Sequence, residues 1–249
     1  EDSGKAYLIL GASLSSASSI NLSQADYSFI GDGKLGRPVA GLGDTNGDGL
    51  DDIAIGDPGA TYLFSGSSLS TTTSLLHSDA DYILPRTGHT KDGVSAGDVD
   101  GDGLNDVLIG NHGYTHSNNQ TTGGAYLVYG SDLGNTSTVA YYHTFEGEKS
   151  GDSAGWAVST AGDIDGDGLD DLLIGADGND EGGDFAGKAY IVLATSITSG
   201  LSQSLSKVDH ELIGESVGDQ AGQLVATADD VDGDGLGDVL IGSKNKDGS

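Results

Sequence analysis

Short apolar runs bounded by glycine recur along this chain, with no stretch of helical periodicity between them. One kind carries a tyrosine and occupies residues 5–11, 60–66, 124–130 and 187–193. A second is β-branched or leucine-rich and ends on glycine: DIAIG from Asp52, DVLIG from Asp106, DLLIG from Asp171 and DVLIG from Asp238. A third is apolar or aromatic, at 25–30, 80–84, 140–145 and 210–213, and a fourth is built of small residues, at 36–43, 92–97, 154–162 and 221–229. Runs of this length and composition read as strands. The Ser/Thr-rich stretches at 13–19, 67–74, 131–137 and 195–206 follow the tyrosine strands and read as exposed connections.

The order of the runs repeats. Each unit holds four short strands and no helix, at a period near 60 residues set by Asp44, Asp98, Asp163 and Asp230. Tandem four-stranded meanders that cannot bury both faces alone describe the blades of a β-propeller, with a β-solenoid as the alternative. The expected fold is therefore all-β: one propeller domain over residues 1–249, with four blades in this chain. The last unit lacks a tyrosine strand, and such a strand stands at residues 5–11. The N-terminal strand is thus expected to complete the last blade and remove an open sheet edge. A cut from a longer array, with closure by further blades or another chain, is the competing expectation.

Between the small-residue and glycine-ended strands lies D-x-[DN]-x-D-G-L-x-D, at 44–52, 98–106, 163–171 and 230–238. A hard cation such as Ca²⁺ takes about six to eight oxygen ligands, which a tight turn supplies from alternate residues. The candidate ligands are Asp44, Asn46, Asp48, Leu50 and Asp52; Asp98, Asp100, Asp102, Leu104 and Asp106; Asp163, Asp165, Asp167, Leu169 and Asp171; and Asp230, Asp232, Asp234, Leu236 and Asp238. The leucines would contribute their carbonyls. An EF-hand needs a glutamate in the twelfth place and flanking helices; here that place is Ile55, Ile109, Ile174 and Ile241. Each loop runs into a strand instead. Four Ca²⁺ sites are expected.

Charge and composition narrow the class. Lys+Arg number 10 against 39 Asp+Glu, a formal net charge of −29. Such a surface offers nothing to phosphate backbones, so nucleic-acid partners are excluded. No run approaches the ~20 apolar residues of a membrane span, which excludes direct membrane insertion by a helix. Cysteine is absent, so no disulfide framework exists, and stability must come from burial and metal. An acidic, cysteine-free, calcium-dependent chain fits a secreted or cell-surface setting, with a bacterial source as the expectation.

These loops, the Ile-Gly after them, the G-x-A-Y strands and the period together resemble FG-GAP repeats, the blades of integrin α-subunit propellers and of bacterial surface and secreted proteins. Residues 154–159 (AGWAVS) and 221–226 (AGQLVA) match the FG-like segment with Ala for Phe, and 35–40 (LGRPVA) does so with Leu. The second unit has lost this segment and carries a polar insertion at 111–123. The resemblance implies a calcium-stabilised, non-catalytic module for extracellular recognition or adhesion, with a protein or glycan ligand it does not name. A secreted polysaccharide-active enzyme such as a lyase, or a structural spacer in a large adhesin, is the alternative.

No strand-to-helix nucleophile elbow groups serine, histidine and aspartate, although G-x-S-x-G strings occur at 93–97 and 151–155. His112 and His116 stand four apart in a Gly/Asn-rich loop unsuited to the helix of a zinc pair. Tyr7, Tyr62, Tyr126 and Tyr190 repeat at one strand position and read as packing between blades. The non-repeating Tyr114, His116, Tyr141, Tyr142 and His143 are the recognition candidates, because binding residues concentrate on variable loops.

Overall fold

The computed structural model describes residues 3–15, 18–69, 72–85, 94–116, 119–133, 143–198 and 201–244, so Tyr141 and Tyr142 lie outside the described residues. β1 (Ser3–Leu8) and β2 (Tyr27–Asp32) form an antiparallel pair. The first four-stranded blade is β3 (Val39–Gly43), β4 (Asp52–Gly56), β5 (Ala60–Phe64) and β7 (Tyr82–Pro85); the short β6 (Ser74–Leu76) leaves it between β5 and β7. The second is β8 (Val94–Gly97), β9 (Asp106–Asn111), β10 (Gly124–Val128) and β11 (His143–Glu146). The third is β12 (Ala154–Gly162), β13 (Asp171–Ala176), β14 (Lys188–Val192) and β16 (His210–Ile213), with the short β15 (Ser202–Ser204) again leaving it. β17 (Ala221–Asp229) and β18 (Asp238–Ser243) close the chain as a pair.

The fold is all-β and built of antiparallel propeller blades; short 3₁₀ turns are the helical elements among the described residues. Each blade runs strand, metal-type loop, strand, a second connection (57–59, 112–123 or 177–187), strand, long connection, strand. The aspartate loops and the Ser/Thr-rich connections therefore share one end of every blade, and the β4–β5, β9–β10 and β13–β14 connections share the other.

The core lies between blades, as stacked units require. Leu108, Leu127 and Phe145 of the second blade pack with Val158, Ile174 and Tyr190 of the third, all buried. Ala6 and Phe29 of the N-terminal pair meet Ile55, Tyr62 and Phe64 of the first blade in the same way. Tyr62, Tyr126 and Tyr190 are accordingly buried, and each hydroxyl has a polar partner: Asp57 at 3.0 Å, Asn111 at 3.1 Å and Glu148 at 2.8 Å. Buried tyrosines require such a partner.

One feature differs from the expected fold. The connections are more than loops, since β6 pairs parallel with β2 and β15 parallel with β11. Each lies on the outermost strand of the preceding unit, with a buried leucine in it (Leu75) or just after it (Leu205). The described pairings keep the N-terminal strand and the last pair in separate sheets. β1 pairs with β2, β18 pairs with β17, and no described pairing joins β18 to β1. Each half-blade is held by the full blade beside it. The β1–β2 pair packs on the first blade, and the β17–β18 pair on the third.

Candidate functional site: the aspartate loops

Four turns with the same backbone place these carboxylates. In each loop the first aspartate accepts the N–H of the glycines three and five residues on: Gly47 and Gly49 onto Asp44, Gly101 and Gly103 onto Asp98, Gly166 and Gly168 onto Asp163, Gly233 and Gly235 onto Asp230, all at 2.7–3.0 Å. Both glycines are left-handed, with φ of +79° and +84° in the first loop, which is why the sequence repeats Gly there. The third residue accepts from the N–H two on (Asn46, Asp100, Asp165, Asp232, at 3.0–3.1 Å), as does the fifth (Asp48, Asp102, Asp167, Asp234, at 2.8–2.9 Å).

The ninth residue does something the spacing alone did not show. The carboxylates of Asp52, Asp106 and Asp171 are buried. Each accepts one N–H from inside its loop (Thr45, Val99, Ile164) and one from the end of the tyrosine strand (Gly66, Gly130, Ala194), at 2.8–3.0 Å. The aspartate thus ties loop, second strand and third strand together. Asp238 takes the loop bond from Val231 at 2.8 Å.

Carboxylate oxygens of Asp98, Asp100 and Asp106, of Asp163, Asp165 and Asp171, and of Asp230, Asp232 and Asp234 lie within 4.8 Å of one another in each set. These donors are all oxygens, the set a hard divalent cation prefers. Asp102, Asp167 and Asp238 stand outside the triads. Burial, with neighbouring carboxylates adding to it, pushes Asp106 up to about 7 and raises Asp100 and Asp171. Charged groups held so close in a partly dry site need an opposite charge. The residues fit a bound cation.

The first loop is different. Asn46 Nδ2 donates to both oxygens of Asp52, at 3.3 and 3.1 Å, and to Ser65 Oγ at 3.0 Å, while Ser65 donates to Asp48 at 2.8 Å. The Gly49 N–H leads the groups that hold Asp44 below its usual range, and the Ser67 hydroxyl leads those that hold Asp48 there. This loop ties Asp48 and Asp52 into hydrogen bonds from its own neutral side chains. Leu104, Leu169 and Leu236 each pack toward a glycine of the preceding loop, while Leu50 leaves its side chain exposed.

The opposite end carries a polar cluster the sequence did not announce. Lys188 Nζ is buried and reaches Glu148 at 3.0 Å, Glu211 at 3.2 Å and Glu181. Of the recognition candidates, Tyr114 donates to Glu146 at 3.1 Å and His116 lies 3.1 Å from the same carboxylate. His112 packs tilted against Trp156, with ring centroids 4.7 Å apart. His143 is buried against Phe145, which places it in the core and away from any binding surface.

Comparison with known families agrees with this architecture. The FG-GAP repeat model matches residues 92–128 and 154–192, and the FG-GAP-like repeat model matches 44–109. This chain carries FG-GAP repeats over those residues. It is similar to integrin α subunits, among them integrin alpha-PS2 of Drosophila melanogaster, 30% identical over 140 residues that cover 54% of this chain and 10% of the relative. Integrin alpha-4 of Xenopus laevis is 30% identical over 146 residues, covering 53% and 13%. Integrin alpha pat-2 of Caenorhabditis briggsae is 27% identical over 229 residues, covering 81% and 17%. The chain thus spans less than a fifth of the length of these relatives. No helix among the described residues is long and apolar enough to cross a membrane.

Proposed function

We propose that the chain is a calcium-stabilised, non-catalytic propeller module of extracellular recognition or adhesion. The observation that carries the calcium reading is the repeated triad: three loops bring three carboxylate oxygens each within 4.8 Å. Asp98, Asp100 and Asp106, Asp163, Asp165 and Asp171, and Asp230, Asp232 and Asp234 would hold the ion, with Asp102, Asp167, Asp238 and the Leu104, Leu169 and Leu236 carbonyls completing the shells. The loop with Asp44, Asn46, Asp48, Leu50 and Asp52 is the weakest of the four sites. Bound Ca²⁺ is structural, neutralising the turn that starts each second strand. The likeness to integrin α subunits supports extracellular placement and a macromolecular ligand, protein or glycan. The end opposite the calcium loops, with Tyr114, His116 and the His112–Trp156 ring contact, is the surface offered to it.

Titration calorimetry with Ca²⁺ on metal-stripped protein, together with thermal melts in Ca²⁺ and EDTA, tests the first half. Three tight sites and a fall in Tm on chelation are expected; an unchanged Tm overturns it. A glycan and matrix-protein binding screen tests the second. Turnover of a polysaccharide, abolished by a point substitution, would overturn the non-catalytic reading.

A further inference from the structure

The first aspartate loop joins asparagine to glycine, Asn46-Gly47, where the other loops carry Asp100-Gly101, Asp165-Gly166 and Asp232-Gly233. It is the one Asn-Gly pair in the chain. The loop itself calls for that glycine, because Gly47 is left-handed, at φ +79°, with its N–H on Asp44. A nitrogen with no side chain beside it therefore follows a neutral amide. An ionised carboxylate at the same place in the other loops is a far poorer target for attack.

Hydrogen bonds set the parts of an amide displacement around this pair. Gly47 N–H donates to Asp44 Oδ1 at 2.7 Å, so a carboxylate stands where the proton must leave as the nitrogen attacks. Asn46 Oδ1 accepts the Asp48 N–H at 3.0 Å, which puts a donor on the oxygen that gathers charge when the amide carbon becomes tetrahedral. The same turn folds the Asn46 side chain back over its own following peptide bond, where Gly47 N lies. Gly47 is exposed and Asn46 half-buried, so water has access to the pair.

Asn21 and Asn179 make the same turn, onto the N–H of Ser23 at 2.9 Å and of Glu181 at 3.0 Å. They are followed by Leu22 and Asp180, whose side chains crowd a five-membered ring, and Asn179 is buried as well. Glycine follows the turn at Asn46.

We propose that the first loop deamidates its own Asn46, and that the aspartate formed gives this loop the carboxylate the other three carry. Gly47 N bonds to Asn46 Cγ and passes its proton to Asp44. The bond from Cγ to Nδ2 breaks, and Nδ2 takes up that proton and leaves as ammonia. Water then opens the succinimide at Cγ, which restores the ordinary backbone with aspartate at position 46. The amide it replaces donates to Asp52 at 3.1 and 3.3 Å, so the new carboxylate faces Asp52 as Asp100 faces Asp106. An internal donor is lost and two like charges meet, which favours a cation between them. The gain of a metal site rests on the calcium reading of these loops; the covalent change does not.

The full chain, held in EDTA at neutral pH and body temperature, is followed by peptide mass spectrometry over weeks. A gain of about 1 Da must accumulate at Asn46 at least about tenfold faster than at Asn21 or Asn179. Equal rates at the three asparagines, or no gain, overturn the proposal, and this comparison within one natural chain depends on no variant. Asp44→Asn must slow the change at least about tenfold, and an unaltered rate removes Asp44 as the base and overturns the mechanism. A protease that cuts at aspartate must then cleave the product at position 46; a product that resists it throughout is isoaspartate and overturns the second half. Calorimetry on the deamidated form, separated by anion exchange, must show one more tight Ca²⁺ site than the Asn46 form. Cleavage at position 46 without that added site overturns the calcium reading of this loop and leaves the deamidation standing.

Discussion

A single amide separates the first aspartate loop from the others. Asn46 places its Nδ2 against Asp52 and Ser65, whereas Asp100, Asp165 and Asp232 bring a carboxylate into the triad. Asn46→Asp removes that internal donor and adds a charge, so calorimetry should show one further tight Ca²⁺ site and a larger fall in Tm on chelation. Asp163→Asn should do the reverse in the third loop, subtracting one tight site. At the other end, Lys188 is the cation of a buried cluster. Lys188→Met strands Glu148, Glu181 and Glu211 and should cost about 3–5 kcal/mol in denaturant unfolding, as losing one partner of a buried pair does. Burial works to raise Glu148, but the Tyr190 and Lys188 bonds outweigh it and hold the carboxyl below its ordinary value of 4.5. A depressed folded value means that its contribution is present above the unfolded value and lost as pH falls through the folded one. The stability gap between the natural chain and Glu148→Gln should therefore be full above about pH 5 and shrink in more acid solution, which paired melts across pH would show.

At the scale of elements, blade stacking depends on backbone approaches that only glycine permits. Gly155 has φ +77°, and a Cβ there would lie 1.8 Å from the Gly124 carbonyl oxygen of the preceding blade. Gly155→Ala should destabilise by more than about 2 kcal/mol, combining strain with a forced separation of blades. Gly151→Ala, with φ +98° but open space around it, should cost less, and denaturant unfolding of the two side by side separates the terms. Strands such as Ala154–Gly162 and His210–Ile213 were legible in the sequence with their observed bounds, because glycine and the aspartate loops fix their ends. β6 and β15 were not, since SLL and SQS carry too little alternation and their partners lie in the preceding unit. The first and third residues of three metal triads were legible from spacing, but the second bond of the ninth aspartate, to the next strand's end, was not. The Lys188 cluster was hidden for the same reason: its three glutamates come from three separate loops and strands.

For the whole molecule, the formal charge of −29 is the dominant long-range term. Repulsion of this size opposes the compact state, most of all when the loops are stripped of cations. Bound Ca²⁺ and dissolved salt relieve the same repulsion by different routes. The ion neutralises the triads directly, where screening by mobile ions is weak, while salt screens the wider surface within a Debye length of about 8–10 Å at moderate ionic strength. Raising NaCl from about 10 mM to about 500 mM should therefore increase Tm in EDTA by more than in saturating Ca²⁺. Salt should not restore the calcium value, because Asp106 and Asp171 are buried against neighbouring carboxylates that salt does not reach. Each kcal/mol regained should appear as about 2–4 °C for a chain of this length. Melts on a grid of NaCl against Ca²⁺ measure both terms. A salt response equal in EDTA and in Ca²⁺ would mean that the loops take no part in the charge balance.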